Sequence, residues 1–164
     1  MNDHIELLVP VRTNKILNLC KILLWILAGL FAAVGLYLGF IPMIIAIGVG
    51  AGAYFVGQKA DIEYEYALTE KEIDIDVIFA KQRRKHVTTI DLTKLEAMFK
   101  FNGYRMNEYS GRQLKEENYS SKEESNKNNM YVMIYDGSRK IIIEPDERLY
   151  KAIYNIAPHK VHND

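Results

Sequence analysis

Hydrophobic and polar positions change their period once along this chain, close to Lys59. Before that point, residues 22 to 57 contain no Asp, Glu, Lys, Arg or His. After it, Ile62, Tyr64, Tyr66 and Leu68 alternate with Asp61, Glu63 and Glu65, and Ile73, Ile75, Val77 and Phe79 alternate with Asp74 and Asp76. A strict period of two is the pattern of a strand with one wet and one buried face. Thr69-Glu70-Lys71 and Lys81-Gln82 read as turns, and His86 to Ile90 as a third, more basic strand. Together they predict an antiparallel meander, which needs further strands to be stable. Asp91 to Phe99 fits either a short helical turn or a bent strand. Residues 107–129 lack apolar periodicity and are rich in Ser, Asn, Glu and Lys, which predicts a long flexible loop. Regular structure returns at Met130 to Tyr135 and Ser138 to Glu144, joined by Asp136-Gly137, a strong hairpin signal. Pro145 suits the first position of a last helix, with Asp146 and Glu147 at its positive end. Leu149, Ile153 and Ile156 form its apolar stripe, with Tyr150 and Tyr154 alongside, and Pro158 stops it.

The uncharged run is too long for one membrane span. A bilayer core of about 30 Å takes roughly 20 helical residues. Gly39-Phe40-Ile41-Pro42 supplies a break, since proline lacks a backbone donor and disfavours helix in the residue before it. The reading is a transmembrane hairpin of two helices, Leu17 to Leu38 and Met43 to Gln58. A cleaved signal peptide would lead directly into polar sequence, whereas Ala51-Gly52-Ala53 lies inside further apolar residues. A soluble buried pair would need more covering protein than the polar remainder supplies. A single kinked span would leave over a dozen apolar residues in water. Gly35 and Gly39, and Gly48 and Gly52, recur at four-residue spacing, which lets helix backbones approach closely, within the hairpin or between chains. Arg12, Lys15 and Lys21 precede the hairpin and Lys59 follows it, while the turn carries no positive charge. Both termini are therefore expected on the cytoplasmic side.

Composition adds little to this picture. The 164 residues balance 21 basic against 21 acidic side chains, so no global field marks a nucleic-acid binder. The single cysteine, Cys20, excludes an intrachain disulfide.

The candidate chemistry is sparse. Asp61, Glu63 and Glu65 face Asp74 and Asp76 on the next strand, but strand alternation accounts for them and no metal-binding loop surrounds them. Lys81, Arg83, Arg84, Lys85 and His86 form the one dense basic cluster. They are candidates for anionic lipid headgroups, or else they pair with the acidic rows across the sheet. The apolar stripe of the last helix, at Leu149, Tyr150 and Ile153, is a candidate groove for a protein partner. No nucleophile, phosphate loop or metal set has a recognisable setting. The expectation is a non-enzyme with no cofactor and no metal.

The stretch EYEYALTEKEIDIDVIFAKQRRKHVTTIDLTKLEAM resembles the opening of the bacterial pleckstrin-homology-like (PH-like) domain. Tyr66-Ala67-Leu68-Thr69 stands at its first strand and turn, and Ile90-Asp91-Leu92-Thr93-Lys94-Leu95 follows its third strand. The ending IIIEPDERLYKAI resembles a family of small bacterial membrane proteins. The resemblance covers roughly residues 15 to 157, and the long polar loop departs from it. It implies an α+β membrane protein in which a transmembrane helical hairpin precedes an antiparallel sheet or partial barrel with one C-terminal helix. The expected plan is a cytoplasmic N-terminal segment over 1–16, the hairpin over 17–58, a cytoplasmic PH-like β domain over 59–157 and a tail over 158–164. The expected location is the bacterial cell membrane, crossed twice. The expected role is a non-catalytic, membrane-anchored interaction or scaffold domain that binds a protein partner or a further copy of itself. The alternative is a sensor of anionic headgroups through residues 81–86. Membrane lipids are the expected surroundings, and nucleic acid is not an expected partner.

Overall fold

The change of period falls at Ala60 to Ile62. In the computed structural model, which describes residues 4–12 and 15–162, the uncharged run forms two helices, α1 (Lys15–Leu38) and α2 (Phe40–Ala60). They separate at a single residue, not over the four expected. Gly39 adopts φ +97°, a region that favours glycine, and its N–H donates to the Gly35 carbonyl at 3.0 Å. Pro42 lies in the first turn of α2, where its missing N–H has no intrahelical partner to lose. The helices pack as a hairpin, and Gly35 is a point of close approach, since a β-carbon there would lie 3.2 Å from Met43 N. Both helices are long and apolar enough to cross a membrane. Their compact unit comprises residues 13–62 together with 79–83. Within it, the Ala80 N–H donates to the Asp61 carbonyl at 2.7 Å.

The second unit comprises, among the described residues, 4–12, 63–78 and 84–162. Its strands are β1 (Ile5–Pro10), β2 (Ile62–Thr69), β3 (Glu72–Phe79), β4 (Arg83–Asp91), β5 (Leu95–Lys100), β6 (Lys115–Asn118), β7 (Tyr131–Tyr135) and β8 (Arg139–Ile143), and its helices are α3 (Met106–Tyr109) and α4 (Glu147–Ile156). They form two four-stranded sheets in the orders β1-β2-β3-β4 and β5-β7-β8-β6. This is the expected α+β architecture, with largely antiparallel pairing and one C-terminal helix. A 3-10 turn over Leu92–Lys94, capped by Asp91, links the sheets.

Three expectations are corrected. The N-terminal segment is not separate from the β domain, because Ile5↔Leu68 through Pro10↔Glu63 pair antiparallel and make β1 an edge strand. Residues 107–129 are not one structureless loop, because β6 lies within them and pairs parallel with β8. The pairing is charge-matched: Lys140 meets Glu116 at 2.9 Å and Arg139 meets Glu117 at 3.4 Å. The tail also joins the fold. Met98 N–H donates to the Lys160 carbonyl at 2.7 Å and His162 N–H to the Met98 carbonyl at 2.8 Å.

The main core joins both sheets to α4 through Tyr66, Leu68, Ile73, Ile75, Ile90, Met98, Met133, Ile141, Leu149 and Ile153. The second sheet is also covered on its reverse face. There Ala97, Phe99, Val132, Ile134 and Ile142 pack beneath Phe101, Met106, Tyr109 and Leu114. Phe99 stacks on Tyr109 with ring centroids 5.5 Å apart. Asp146 caps α4 by accepting from Leu149 N–H at 2.8 Å.

Tyr66 is fully buried, so its hydroxyl needs partners inside the protein. It donates to the Tyr119 carbonyl at 2.5 Å and accepts from Glu144 N–H at 3.3 Å. Burial pushes its pKa well up. Tyr66→Phe is expected to lower the unfolding free energy of the full-length protein by about 1–2 kcal/mol. Tyr154→Phe, on the exposed side of α4, is expected to stay within about 0.5 kcal/mol. Denaturant unfolding followed by circular dichroism checks both.

Candidate functional site

The residues of the basic cluster are divided between the two units. Lys81 and Arg83 belong to the helical unit, whereas Arg84, Lys85 and His86 belong to the β unit. On the outer face of the first sheet, the Arg84 guanidinium pairs with the Glu65 carboxylate, and its Nε lies 3.8 Å from Asp76. His86 Nδ1 lies 2.9 Å from the same Asp76. The Thr89 hydroxyl donates to Asp74 at 2.5 Å. Glu65, Asp74 and Asp76 are therefore matched by β4, as cross-strand pairing of opposite charges favours. Glu65 was expected on the wet face, yet it is buried, with 6 % of its surface exposed. Arg84 spans it and remains half-exposed. Two of the five headgroup candidates, Arg84 and His86, are thus engaged inside the sheet. Lys85 is exposed on β4.

The predicted partner groove is also redrawn. Leu149 and Ile153 are fully buried in the main core, because the sheets close over the apolar stripe of α4. They present nothing to a partner. Tyr150 differs: its ring lies 5.0 Å from that of Tyr131, and both line an open cavity of about 580 Å³. The edge strand, Leu7 to Pro10, also lines it, as do Ser121, Asn126, Asn129 and Glu144 through Glu147. The cavity carries four carboxylates, from Glu123, Glu144, Asp146 and Glu147. Glu144 accepts from Ser121 N–H at 3.0 Å, Asp146 caps α4 and meets Arg148 at 3.0 Å, and Glu147 meets Lys151 at 2.5 Å. The Lys151 ammonium holds the Glu147 carboxyl below its ordinary pKa. Near this cavity, burial and the neighbouring Glu117 charge push the Tyr119 hydroxyl up to about 12.

The edge strand is an element that the sequence pattern left unassigned. Its signal was present, since Ile5, Leu7 and Val9 alternate with Glu6 and Leu8. Ile5, Leu7 and Val9 contribute to the core, and Leu8 is 54 % exposed.

The four glycines expected at helix contacts divide by role. Gly35 meets α2, and Gly39 makes the turn. At Gly48 and Gly52 an added β-carbon would meet nothing within 4 Å, so neither takes part in the hairpin contact. Ala46, Ala53 and Gly57 are buried small residues of α2.

If Arg84 serves the sheet, its removal strands a buried carboxylate. Arg84→Ala is expected to cost about 2 kcal/mol, while Lys85→Ala stays within about 0.5 kcal/mol. Adding Glu65→Leu to Arg84→Met is expected to recover most of the loss. A double-mutant cycle in denaturant measures all three.

The family model described as Bacterial PH-like domain (DUF6106) matches residues 1–163, which includes the helical hairpin as well as the β unit. No curated protein and no solved structure matches the chain. With the two sheets, the C-terminal helix and a match over nearly its whole length, the chain belongs to this family of bacterial PH-like domain proteins.

Proposed function

We propose that the protein is a non-catalytic interaction module anchored in the bacterial cell membrane. In this reading α1 and α2 cross the bilayer and return, and both termini lie on the cytoplasmic side. Exposure of the helices supports the anchor: Leu36, Leu38, Phe40 and Ile47 each leave more than two-thirds of their surface uncovered. So much apolar surface is costly in water and at home in lipid. The basic residues at the open ends of the hairpin, Lys15, Lys21 and Lys59, favour the cytoplasmic orientation.

The observation that carries the interaction role is an edge strand beside an open cavity. An unpaired strand edge offers backbone donors and acceptors to an added strand, and neighbouring pockets select its side chains. Here β1 is the edge, Tyr131 and Tyr150 supply apolar contact, and the carboxylates favour a segment bearing lysine or arginine. Pro10 ends the usable edge, because proline has no N–H to offer. Self-association is the homotypic form of the same role. Gly48 and Gly52, which have no close neighbour in the hairpin, would then supply the contact between anchors.

The second reading is contact with anionic headgroups. It is favoured by the grouping of Lys81 and Arg83 with the hairpin, and it rests on these two instead of Arg84 and His86. It predicts that photoreactive phosphatidylglycerol labels residues 81–83 in preference to photoreactive phosphatidylcholine. Equal labelling rejects it.

For the partner groove, a photoreactive side chain replacing Leu8 in the full-length protein, in native membranes, is expected to give a discrete adduct with a second polypeptide. The same group replacing Lys151 is expected to give none, and Tyr150→Ala is expected to reduce the Leu8 adduct severalfold. Identical diffuse labelling from Leu8 and Lys151 would refute the groove.

A further inference from the structure

A second cavity, of about 200 Å³, opens within the helical unit at the charged end of the hairpin. Lys21 and Trp25 of α1, Ala53, Tyr54, Gly57 and Gln58 of α2, and the loop residues Asp61, Ala80 and Gln82 line it. Lys21 reaches it by crossing Gly57. A β-carbon at Gly57 would lie 3.3 Å from Lys21 Cε and 3.7 Å from Nζ, so the absent side chain is what lets the lysine lie flat against α2. Trp25 stands one helical turn deeper, and it is the single tryptophan of the chain. Among the described residues no ion pair to Lys21 is formed. The loop that closes the cavity is fixed in place by the Ala80 N–H to Asp61 carbonyl bond at 2.7 Å.

We propose that this cleft seats the headgroup of one anionic phospholipid. The inference rests on the membrane anchor proposed above, and its cation is Lys21, which is not one of the basic residues of the 81–86 cluster. Lys21 supplies the cation for the phosphate. The side-chain amides of Gln58 and Gln82 supply neutral donors at the same level. Trp25 is a residue type that settles where acyl chain meets headgroup. Basic pockets between membrane helices at the cytoplasmic face suit such lipids, and the charge of unit and site agree. Residues 13–62 and 79–83 hold five basic side chains (Lys15, Lys21, Lys59, Lys81 and Arg83) against the one carboxylate of Asp61. Asp61 in the lining disfavours a doubly charged free anion more than a singly charged phosphodiester, which selects a lipid over inorganic phosphate.

Trp25 makes the site readable in the intact protein. The full-length chain is reconstituted into phosphatidylcholine vesicles containing phosphatidylglycerol, with bromine placed on the acyl chains of one lipid or the other. Bromine on phosphatidylglycerol is expected to quench Trp25 fluorescence out of proportion to its mole fraction. Lys21→Gln is expected to reduce that preference about fivefold. Lys81→Gln is expected to keep it, and added inorganic phosphate is expected to leave it unchanged. Quenching in proportion to mole fraction in the wild type, or a preference that survives Lys21→Gln or yields to inorganic phosphate, would overturn the headgroup site while leaving the anchor intact. Absence of quenching by either brominated lipid would overturn the anchor and the site together.

Discussion

A hydroxyl that cannot reach water holds together one face of the β unit. The Tyr66 side chain fills the core, and among the described residues its oxygen is satisfied by the Tyr119 carbonyl and the Glu144 N–H. From there the bonds continue outward. Ser121 N–H donates to the Glu144 carboxylate, and Arg12 N–H donates to the Ser121 carbonyl at 2.7 Å. This chain of bonds fixes residues 119–121 between the end of β1 and the end of β8. Ser120 and Ser121 are buried along it, with Ser120 held by Asn118. Ser121, so held, lines the cavity beside β1. A core requirement thus sets the shape of an external surface.

Periodicity made most of the architecture legible. The helical run, the β2–β3–β4 meander, the Asp136-Gly137 hairpin and the amphipathic last helix all announce themselves through burial on one face. What escaped was the structure whose burial is not periodic. β6 reads Lys-Glu-Glu-Asn, and its partner strand, not its hydrophobicity, makes it a strand. The signal was Glu116 and Glu117 against the Arg139-Lys140 start of β8, which is visible only once the two are set side by side. Residues 101–114 look polar because four spaced anchors, Phe101, Met106, Tyr109 and Leu114, are enough to cover the second sheet. β1 was hidden by its distance from β2, with the whole hairpin lying between two strands that pair residue by residue.

The candidate sites were less legible, for a related reason. A sequence shows which charges exist but not which have already found each other. Arg84 and His86 looked like part of a lipid-facing cluster, yet they already pair with Glu65 and Asp76. Burying Glu65 would be unfavourable without Arg84, so the pair is a condition of that sheet face and not a ligand site. Leu149 and Ile153 misled in the same direction. A strong apolar stripe on a helix is more easily closed by the protein's own core than left for a partner. Tyr150 escapes that closure because it sits beside the stripe.

Zero net charge conceals a division between the two units. The helical unit is basic by four charges, so the β unit is acidic by the same amount. If the helices lie in an anionic leaflet, the basic collar is drawn to its surface, while the carboxylate-lined cavity is not. The cavity and the leaflet then compete for the same class of partner, a basic segment. Charge alone cannot decide that competition, because both attractions are screened over about 8 Å at physiological salt. The edge strand can decide it. A flat lipid surface offers no row of backbone donors and acceptors, whereas β1 offers one with Tyr131 and Tyr150 beside it. In this reading electrostatics gathers basic segments near the membrane, and the geometry of β1 selects among them.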